Sequence, residues 1–354
     1  MKDFMNLAFK LAKKAKPYPN PKVGAVLVRN EKIIGTGYHK GPGSPHAEII
    51  AIENAKANGE EISGSILYVT LEPCSHTLKR TPPCTQAIIS SGIKKVVFAM
   101  KDPNPLVNGT SELKKAGIEV VGPVNQQEGI ELNKRYLKQI SKKPTVILKM
   151  AMSADGKTAT KTGDSKWITN EKSRTIVHKM RGEYDGVMVG AGTVIADNPE
   201  LTVRLVPGKN PYRIIIDGKL RIPLDSKVIT NPDKKTIVIT TSKPPPELLE
   251  EFRKKTQVWI CGEDEVDLQK LIIALQAMGM KKIMIEGGSE LAASALNAGV
   301  VDQFYFFIAP KIIGGIGAKS VIGGGGIEKM SEAIPLKNMK IKKIDGNILL
   351  YFTR

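Results

Sequence analysis

His46-Ala47-Glu48, Pro73-Cys74 and Cys84 constrain this chain more tightly than any other feature, because three of these residues are zinc donors set on different local elements. His46 opens a helical pattern that runs to residue 57. Cys74 follows Pro73 at the end of the apolar strand Ser65-Ile66-Leu67-Tyr68-Val69-Thr70-Leu71, and Cys84 opens another helical stretch. In an α/β sheet, ligands gather outside the carboxyl ends of strands and at helix starts. A fold that lets one metal meet all three residues must therefore bring two helix starts to the end of that strand. Three protein ligands leave the fourth tetrahedral position to water, whose pKa zinc lowers from about 16 towards about 7. A lone His is usually a hydrogen-bonded structural residue and a lone buried Cys a small hydrophobe; the combination is what carries the reading.

Zinc nucleobase deaminases use this donor set, with a Glu beside the metal that does not bind it and moves protons instead. Here the expected ligands are His46, Cys74 and Cys84, and the expected catalytic shuttle is Glu48. The spacing of the cysteines departs from the short Pro-Cys-x-x-Cys form: nine residues intervene, among them His76, Lys79, Arg80 and Thr81. Such a loop can close on a phosphate through charge-assisted hydrogen bonds, which points to a small phosphorylated ligand.

Around the motif the chain alternates apolar strands with helical patterns. The N-terminal stretch has amphipathic helical spacing. Strands are expected at 23–28 and 32–38, flanking the turn Arg29-Asn30-Glu31, and then at 65–71, 95–100 and 118–121. Helices are expected at 46–57, 84–91, 111–116 and 126–140. A hairpin followed by repeated α/β units predicts a mixed sheet with helices on its faces, a three-layer α/β/α domain over residues 1–142. Ser141-Lys142-Lys143-Pro144 reads as a junction, since proline disfavours helix in the residue before it. A second α/β series then occupies 143–354, and a length of 354 residues suits two domains. Its strands fall at 145–151, 186–189, 213–217, 236–240, 257–261, 282–286 and 303–308, its helices near 170–181, 267–278 and 289–298, and a hairpin 341–352 turns at Asp345-Gly346.

Glycine turns stand between strands and helices at Gly190-Ala191-Gly192-Thr193 and Glu286-Gly287-Gly288-Ser289, and glycines recur in 313–317 and 323–326. Turns of this kind let backbone N–H groups at a helix start approach a phosphate, although glycines also simply make turns. The Gly-x-Gly-x-x-Gly fingerprint after a first strand is absent, so a dinucleotide would sit on another fold.

A net charge of +18 invites a nucleic-acid reading. The charge is spread through both halves without a basic arm, and aromatics at 5% leave few side chains to stack on bases. A lysine-rich solvated surface and phosphorylated small ligands account for it, and no nucleic-acid partner is expected. No run approaches the ~20 apolar residues of a membrane helix, and the N-terminus lacks a secretory pattern, so no membrane partner is expected either. Three cysteines, two of them assigned to metal, fit a reducing, cytoplasmic compartment. Cys261 closes an apolar strand and is expected in the core.

Taken together, the motifs resemble the bifunctional riboflavin biosynthesis family, a fused diaminohydroxyphosphoribosylaminopyrimidine deaminase and 5-amino-6-(5-phosphoribosylamino)uracil reductase, over essentially the whole chain. In the first half the resemblance rests on Pro19-Asn-Pro-Lys-Val-Gly-Ala25, Gly37-Tyr-His39, His46-Ala-Glu48, Leu71-Glu-Pro-Cys-Ser-His76 and Arg80-Thr-Pro-Pro-Cys84. In the second half it rests on Lys149-Met-Ala-Met-Ser-Ala-Asp-Gly-Lys157, Ser165-Lys-Trp-Ile-Thr169, Arg181, Gly192-Thr-Val-Ile-Ala-Asp-Asn-Pro-Glu-Leu-Thr-Val-Arg204 and Glu286-Gly-Gly. The resemblance implies a cytidine-deaminase-like first domain with zinc (Zn2+) and a dihydrofolate-reductase-like second domain with NADPH. It implies hydrolytic deamination of a phosphorylated diaminopyrimidine, then reduction of the ribosyl chain to ribityl. Glu48 would take the water's proton and pass protons to the ring and the departing amine, its pKa drawn towards neutrality by burial.

The same resemblance sets Asn20 and His39 against the pyrimidine and His76, Lys79, Arg80 and Thr81 around the 5′-phosphate. That loop is one residue longer than the family pattern, and both Lys79 and Arg80 stand for the phosphate contact. In the second half, Ala151, Trp167, Thr193, Asp197, Gly287, Gly288 and Ser289 are set against NADPH. Ser165, Arg181, Leu201, Arg204 and Glu286 face the substrate, two arginines suiting an anionic phosphate. A homo-oligomer formed through the second domain is a further implication. Read singly, Asn20 is a turn residue between prolines, Trp167 core, Asp155-Gly156 a turn and Arg204 a solvated strand end. The rival functions are a polynucleotide deaminase with an appended basic domain, a reductase with a structural deaminase domain, and a non-enzymatic NADPH-binding protein.

Overall fold

In the computed structural model, which describes residues 2–78 and 81–354, the N-terminal pattern folds as helix α1 (Lys2–Lys13), followed by strands β1 (Gly24–Arg29) and β2 (Lys32–Tyr38). Asn30 and Glu31 take left-handed φ of 48° and 62° and register Arg29 opposite Lys32, the two-residue turn whose twist suits a hairpin. Then follow α2 (Ala47–Ala57), β3 (Ile66–Leu71), α3 (Cys84–Ser90), β4 (Lys95–Met100), α4 (Gly109–Lys115), β5 (Glu119–Val121) and α5 (Gln126–Ile140). The sheet order is β2-β1-β3-β4-β5, with β1 antiparallel to both neighbours and β3, β4 and β5 parallel.

Side chains alternate across β1 because its period is two. Ala25 and Leu27 pack with Ala47, Ala51 and Ala55 of α2, while Val26 and Val28 pack with Met5, Ala8 and Phe9 of α1. The result is three layers. On β2, a Cβ at Gly37 would overlap the Ala47 carbonyl and one at Gly35 the Ala51 carbonyl, so α2 rests directly on the strand backbone. That seat fixes the first turn of α2, which carries His46 and Glu48.

The second part comprises β6 (Thr145–Ser153), β7 (Lys157–Ala159), α6 (Glu171–Glu183), β8 (Gly186–Gly190), α7 (Ala191–Asp197), β9 (Tyr212–Ile216), α8 (Lys227–Thr230), β10 (Thr236–Thr240), α9 (Pro246–Lys255), β11 (Gln257–Ile260), α10 (Leu268–Ala277), β12 (Lys282–Glu286), α11 (Ser289–Asn297), β13 (Gln303–Ala309), β14 (Lys319–Ser320), β15 (Lys337–Ile344) and β16 (Asn347–Thr353). Nine strands form one sheet in the order β11-β10-β9-β8-β12-β6-β13-β16-β15, parallel from β11 to β13 and closed by the antiparallel hairpin β15–β16. Parallel strands bury both faces and read as continuous apolar runs, as in the fully buried core residues Ile147, Val187, Val189, Ile215, Val238 and Met284. By contacts the chain divides into Met1–Lys143 with Ile273–Gly279, and Pro144–Ile272 with Met280–Arg354.

Several elements go beyond the sequence pattern. Helix α9 follows Pro244-Pro245-Pro246, a composition that signals a loop, yet Pro246 takes the first helical position, where its missing N–H costs nothing. Helix α7 starts within the turn Gly190–Thr193 and runs on to Asp197, and α4 starts two residues before the spacing predicts. For Gly37→Ala we expect the first unit to lose about 1–3 kcal/mol in chemical denaturation, because the added methyl must displace α2; an unchanged midpoint would contradict the close seat.

Candidate functional site

His46 caps α2 with extended backbone (φ −73°, ψ 163°), Cys74 lies just past β3, and Cys84 is the first residue of α3. Their donor atoms converge: His46 Nδ1 is 3.5 Å from Cys74 Sγ and 3.2 Å from Cys84 Sγ, and all three lie within 4.8 Å of one another. Tetrahedral zinc, with Zn–N about 2.0 Å and Zn–S about 2.3 Å, separates nitrogen from sulfur by about 3.6 Å. The group thus has the composition of a zinc shell and nearly its size. The Cys84 N–H points at Cys74 Sγ (3.3 Å) and the Thr85 N–H donates to the Cys74 carbonyl, so the two cysteines are locked together by backbone. On the far side of the ring, His46 Nε2 lies 3.2 Å from Thr81 Oγ1, the kind of second contact that orients a ligating imidazole. Glu48, two residues beyond His46, is 4% exposed.

His39 follows β2 and is buried. Its Nδ1 lies 3.1 Å from the Pro45 carbonyl, which can only accept, so Nδ1 carries the proton and Nε2 accepts from Asn20 Nδ2 at 2.9 Å. The His39 and His46 rings meet edge to face with centroids 5.2 Å apart. Asn20 is also a turn residue, its N–H donating to the Pro17 carbonyl, so both readings of it hold. His76 is half-buried in the cysteine loop; Lys79 and Arg80 lie outside the described residues.

Two acids beside this group escape the sequence reading. Glu72, 2% exposed, accepts from the N–H (2.9 Å) and hydroxyl (2.6 Å) of Thr110. Asp102 accepts from the Asn104 N–H (2.9 Å) and the Tyr136 hydroxyl (3.1 Å). Burial pushes the Asp102 carboxyl up to about 7 against the pull of those two donors. Each stands just beyond the carboxyl end of a strand, β3 or β4, and that position was the available signal.

In the second unit a cleft of about 1580 Å³ follows the carboxyl ends of the parallel strands. It is lined by Ala151, Ser165, Trp167, Arg181, Thr193, Asp197, Leu201, Arg204, Glu286, Gly287, Gly288 and Ser289, so the candidates from this half are brought together. Glu286 ends β12 and is held bidentately by Arg181 (2.9 and 2.6 Å), with Lys149 Nζ at 3.5 Å. Burial raises the Glu286 carboxyl, but Arg181 and Lys149 outweigh it and hold it at about 2. Arg181 also donates to the Thr202 carbonyl at 3.1 Å. Lys149 is buried in mid-strand, and a lone lysine in an apolar run carries no pattern in the sequence.

Of the plainer alternatives one fails and two hold only in part: Asp155-Gly156 is a turn and Arg204 is solvated, but neither is only that. Trp167 is not core: it is 62% exposed at the cleft, with the Arg174 guanidinium 4.5 Å above its ring. Asp155 does more than turn the chain, accepting from the Ser153 hydroxyl (2.6 Å) and from the N–H groups of Ile313 (3.1 Å) and Gly314 (2.7 Å). Arg204 is not on a strand; its side chain pairs with Glu200 at 3.2 Å and its N–H donates to His178 Nδ1 at 3.0 Å. Cys261 is buried, as its apolar context predicts.

Residues 1–100 match the cytidine and deoxycytidylate deaminase zinc-binding region, and residues 144–350 match the RibD C-terminal domain. The riboflavin biosynthesis protein RibD of Aquifex aeolicus is 45% identical over 361 residues, spanning 100% of this chain and 98% of its own. That of Actinobacillus pleuropneumoniae is 43% identical over 98% of this chain and 94% of its own. The solved diaminohydroxyphosphoribosylaminopyrimidine deaminase/5-amino-6-(5-phosphoribosylamino)uracil reductase of Thermotoga maritima covers 99% of this chain and 98% of its own at 37% identity, with a TM-score of 0.52. A cytidine-deaminase-like fold and a dihydrofolate-reductase-like fold on one chain, each with its site at strand ends, define a bifunctional deaminase–reductase. This chain belongs to the RibD family of riboflavin biosynthesis proteins, whose two activities use zinc and NADPH and act on a phosphorylated pyrimidine. Among the described residues no helix is long and apolar enough to cross a membrane.

The second unit should be acid-sensitive. Burial, with Arg181 and Arg204 adding to it, pushes His178 down from 6.5 to about 4. The unfolded chain therefore takes the proton first, so stability is full above about pH 6.5 and falls as pH drops from there towards 4. Glu286, held at about 2 against an ordinary 4.5, adds a further loss below about pH 4.5. Both tryptophans, Trp167 and Trp259, lie in this unit and report its unfolding. We expect the urea midpoint followed by tryptophan fluorescence to fall between pH 7 and 5, and His178→Asn to flatten that slope; an equal slope in the variant would contradict the assignment.

Proposed function

We propose that residues 1–142 carry the deaminase with His46, Cys74 and Cys84 as zinc ligands and Glu48 as proton shuttle, and that residues 143–354 carry the reductase. The observation behind this is the convergence of one imidazole nitrogen and two sulfurs on the scale of a single ion, with a buried carboxylate two residues from the imidazole. Zinc held there supplies an acidified water at neutral pH. Glu48 takes that water's proton and returns protons to the ring and the departing amine, so that water and a C–NH2 group give C=O and ammonia. Asn20 and His39 hold the pyrimidine, their mutual hydrogen bond fixing the His39 tautomer. His76, Thr81 and Lys79 or Arg80 receive the 5′-phosphate, and Thr81, through its contact with His46, ties that loop to the ligand set.

The substrate is 2,5-diamino-6-ribosylamino-4(3H)-pyrimidinone 5′-phosphate, and the second step reduces its ribosyl chain to ribityl. Ala151, Trp167, Thr193, Asp197 and the turn Gly287–Ser289 would hold NADPH, which would supply the hydride. Ser165, Arg181, Leu201, Arg204 and Glu286 hold the substrate, with Glu286 fixed by Arg181. A cytoplasmic homo-oligomer without nucleic acid is part of this reading. What supports assembly through the second domain is an apolar set on the closing hairpin: Met339, Ile341 and Ile348 are 63%, 61% and 38% exposed.

For Glu48→Gln, ammonia release should fall about 10³-fold, the middle of the range for general acid–base catalysis, while NADPH oxidation on pre-deaminated substrate survives. Loss of both activities would contradict two separate sites. For Cys84→Ala, zinc content and deamination should fall together, and a variant that kept its zinc would refute the ligand set.

A further inference from the structure

The segment between α7 and β9 brings Leu201 and Arg204 to the cleft, yet no helix or strand runs through it. Asn198 and Leu201 take left-handed φ of 40° and 53°, a conformation unfavourable for a branched side chain such as Leu201. No sheet ladder satisfies the segment's backbone, so its N–H and C=O groups must find partners elsewhere. Its shape is imposed from outside.

Three consecutive residues show how. The Thr202 carbonyl accepts from Arg181 Nη1 at 3.1 Å, the Val203 N–H donates to Asn210 Oδ1 at 3.0 Å, and the Arg204 N–H donates to His178 Nδ1 at 3.0 Å. His178 and Arg181 stand three residues apart on α6, hence on one face of it. Both acceptors are themselves fixed. Asn210 Nδ2 donates to Asp233 Oδ2 at 3.1 Å, and Asp233 is paired with the fully buried Arg213, so the amide presents its oxygen to Val203. His178 is 6% exposed, and burial with the neighbouring Arg181 and Arg204 keeps its imidazole neutral. A neutral ring that accepts at Nδ1 carries its proton on Nε2.

The Arg204 guanidinium, in contrast, is partnered by Glu200 and by the Thr202 hydroxyl, both at 3.2 Å and both on its own segment. Where that guanidinium stands in the cleft is therefore set by the backbone that carries it.

We infer that His178 and Asn210 are positioning residues for the reduction, holding Leu201 and Arg204 in the geometry that receives the phosphorylated substrate. Neither is among the residues that line the cleft; they act through the backbone of Val203 and Arg204. The inference rests on the substrate contacts proposed above for Leu201 and Arg204 and adds what holds them.

Steady-state kinetics of the full chain on pre-deaminated substrate, with NADPH varied separately, tests this. His178→Leu, which keeps bulk in the buried site but accepts no hydrogen bond, should raise the KM for that substrate about tenfold, the effect of leaving one backbone donor unpaired. It should leave kcat and the KM for NADPH unchanged, the pattern of a lost contribution to substrate binding alone. His178→Asn, whose amide oxygen can stand where Nδ1 stood, should recover most of the loss. Asn210→Ala should repeat the His178→Leu pattern, and it keeps the test decisive if His178→Leu fails to fold. Arg204→Ala provides the reference for the contact being positioned. If Arg204→Ala raises the substrate KM, an unchanged KM in both His178→Leu and Asn210→Ala would overturn the positioning role alone. So would an Asn variant as impaired as the Leu variant, or losses spread evenly over kcat and both KM values. An unchanged substrate KM in Arg204→Ala would overturn the role together with the proposed seat of Arg204.

Discussion

Three donor atoms from three elements must meet within the radius of one ion, and the first unit is organised around that demand. His46 comes from the start of α2, Cys74 from the exit of β3 and Cys84 from the start of α3. None of these ends would hold still alone. The start of α2 is fixed because the helix rests on the glycine backbone of β2, and the exit of β3 because that strand lies between β1 and β4. The two cysteine segments are tied by the Cys84 N–H pointing at Cys74 Sγ and the Thr85 N–H donating to the Cys74 carbonyl. Buried Glu72 and Asp102, each given hydrogen-bond donors, follow the carboxyl ends of β3 and β4. A donor group that could hold a metal ion is thereby built from strand and helix ends held by packing.

The second unit solves a different problem at the same kind of edge. Its ligands are anionic, and the cleft is charged to suit them. Glu286 is set against both Arg181 and Lys149, with burial pulling the Lys149 amine down from its ordinary value and Glu286 opposing that pull. Removing Glu286 would leave two buried cations without their counter-charge, at a cost of about 3–5 kcal/mol. All three line the cleft proposed above to hold the phosphorylated substrate and the dinucleotide. Glycine turns after β8 and β12 supply backbone donors next to it.

What was legible in the sequence was what local periodicity and residue chemistry encode. Strands that bury both faces, as β1 and β3 do, give unbroken apolar runs, and the turns Asn30-Glu31 and Asp345-Gly346 stand out by residue type and take the left-handed φ expected of them. The metal group was legible because His, Glu and Cys fell at element boundaries. Partnerships across long sequence separations were not. Arg181 and Glu286 are 105 residues apart and Asp102 and Tyr136 are 34 apart, and no local pattern announces either pair. Trp167 reads as core by residue type but sits exposed at the cleft, because its ring is partnered by Arg174 and not by the interior. Helix α9 was hidden by its prolines, since position within the first turn decides whether a proline breaks or starts a helix.

The central claim is that one His and two Cys of this chain form a three-ligand zinc site with a position left open for water. X-ray absorption at the zinc edge of the purified full chain examines it directly. The account predicts a four-coordinate spectrum with two sulfur scatterers at about 2.3 Å and two nitrogen or oxygen scatterers at about 2.0–2.1 Å. A shell of nitrogen and oxygen alone, or one with a single sulfur, would contradict it.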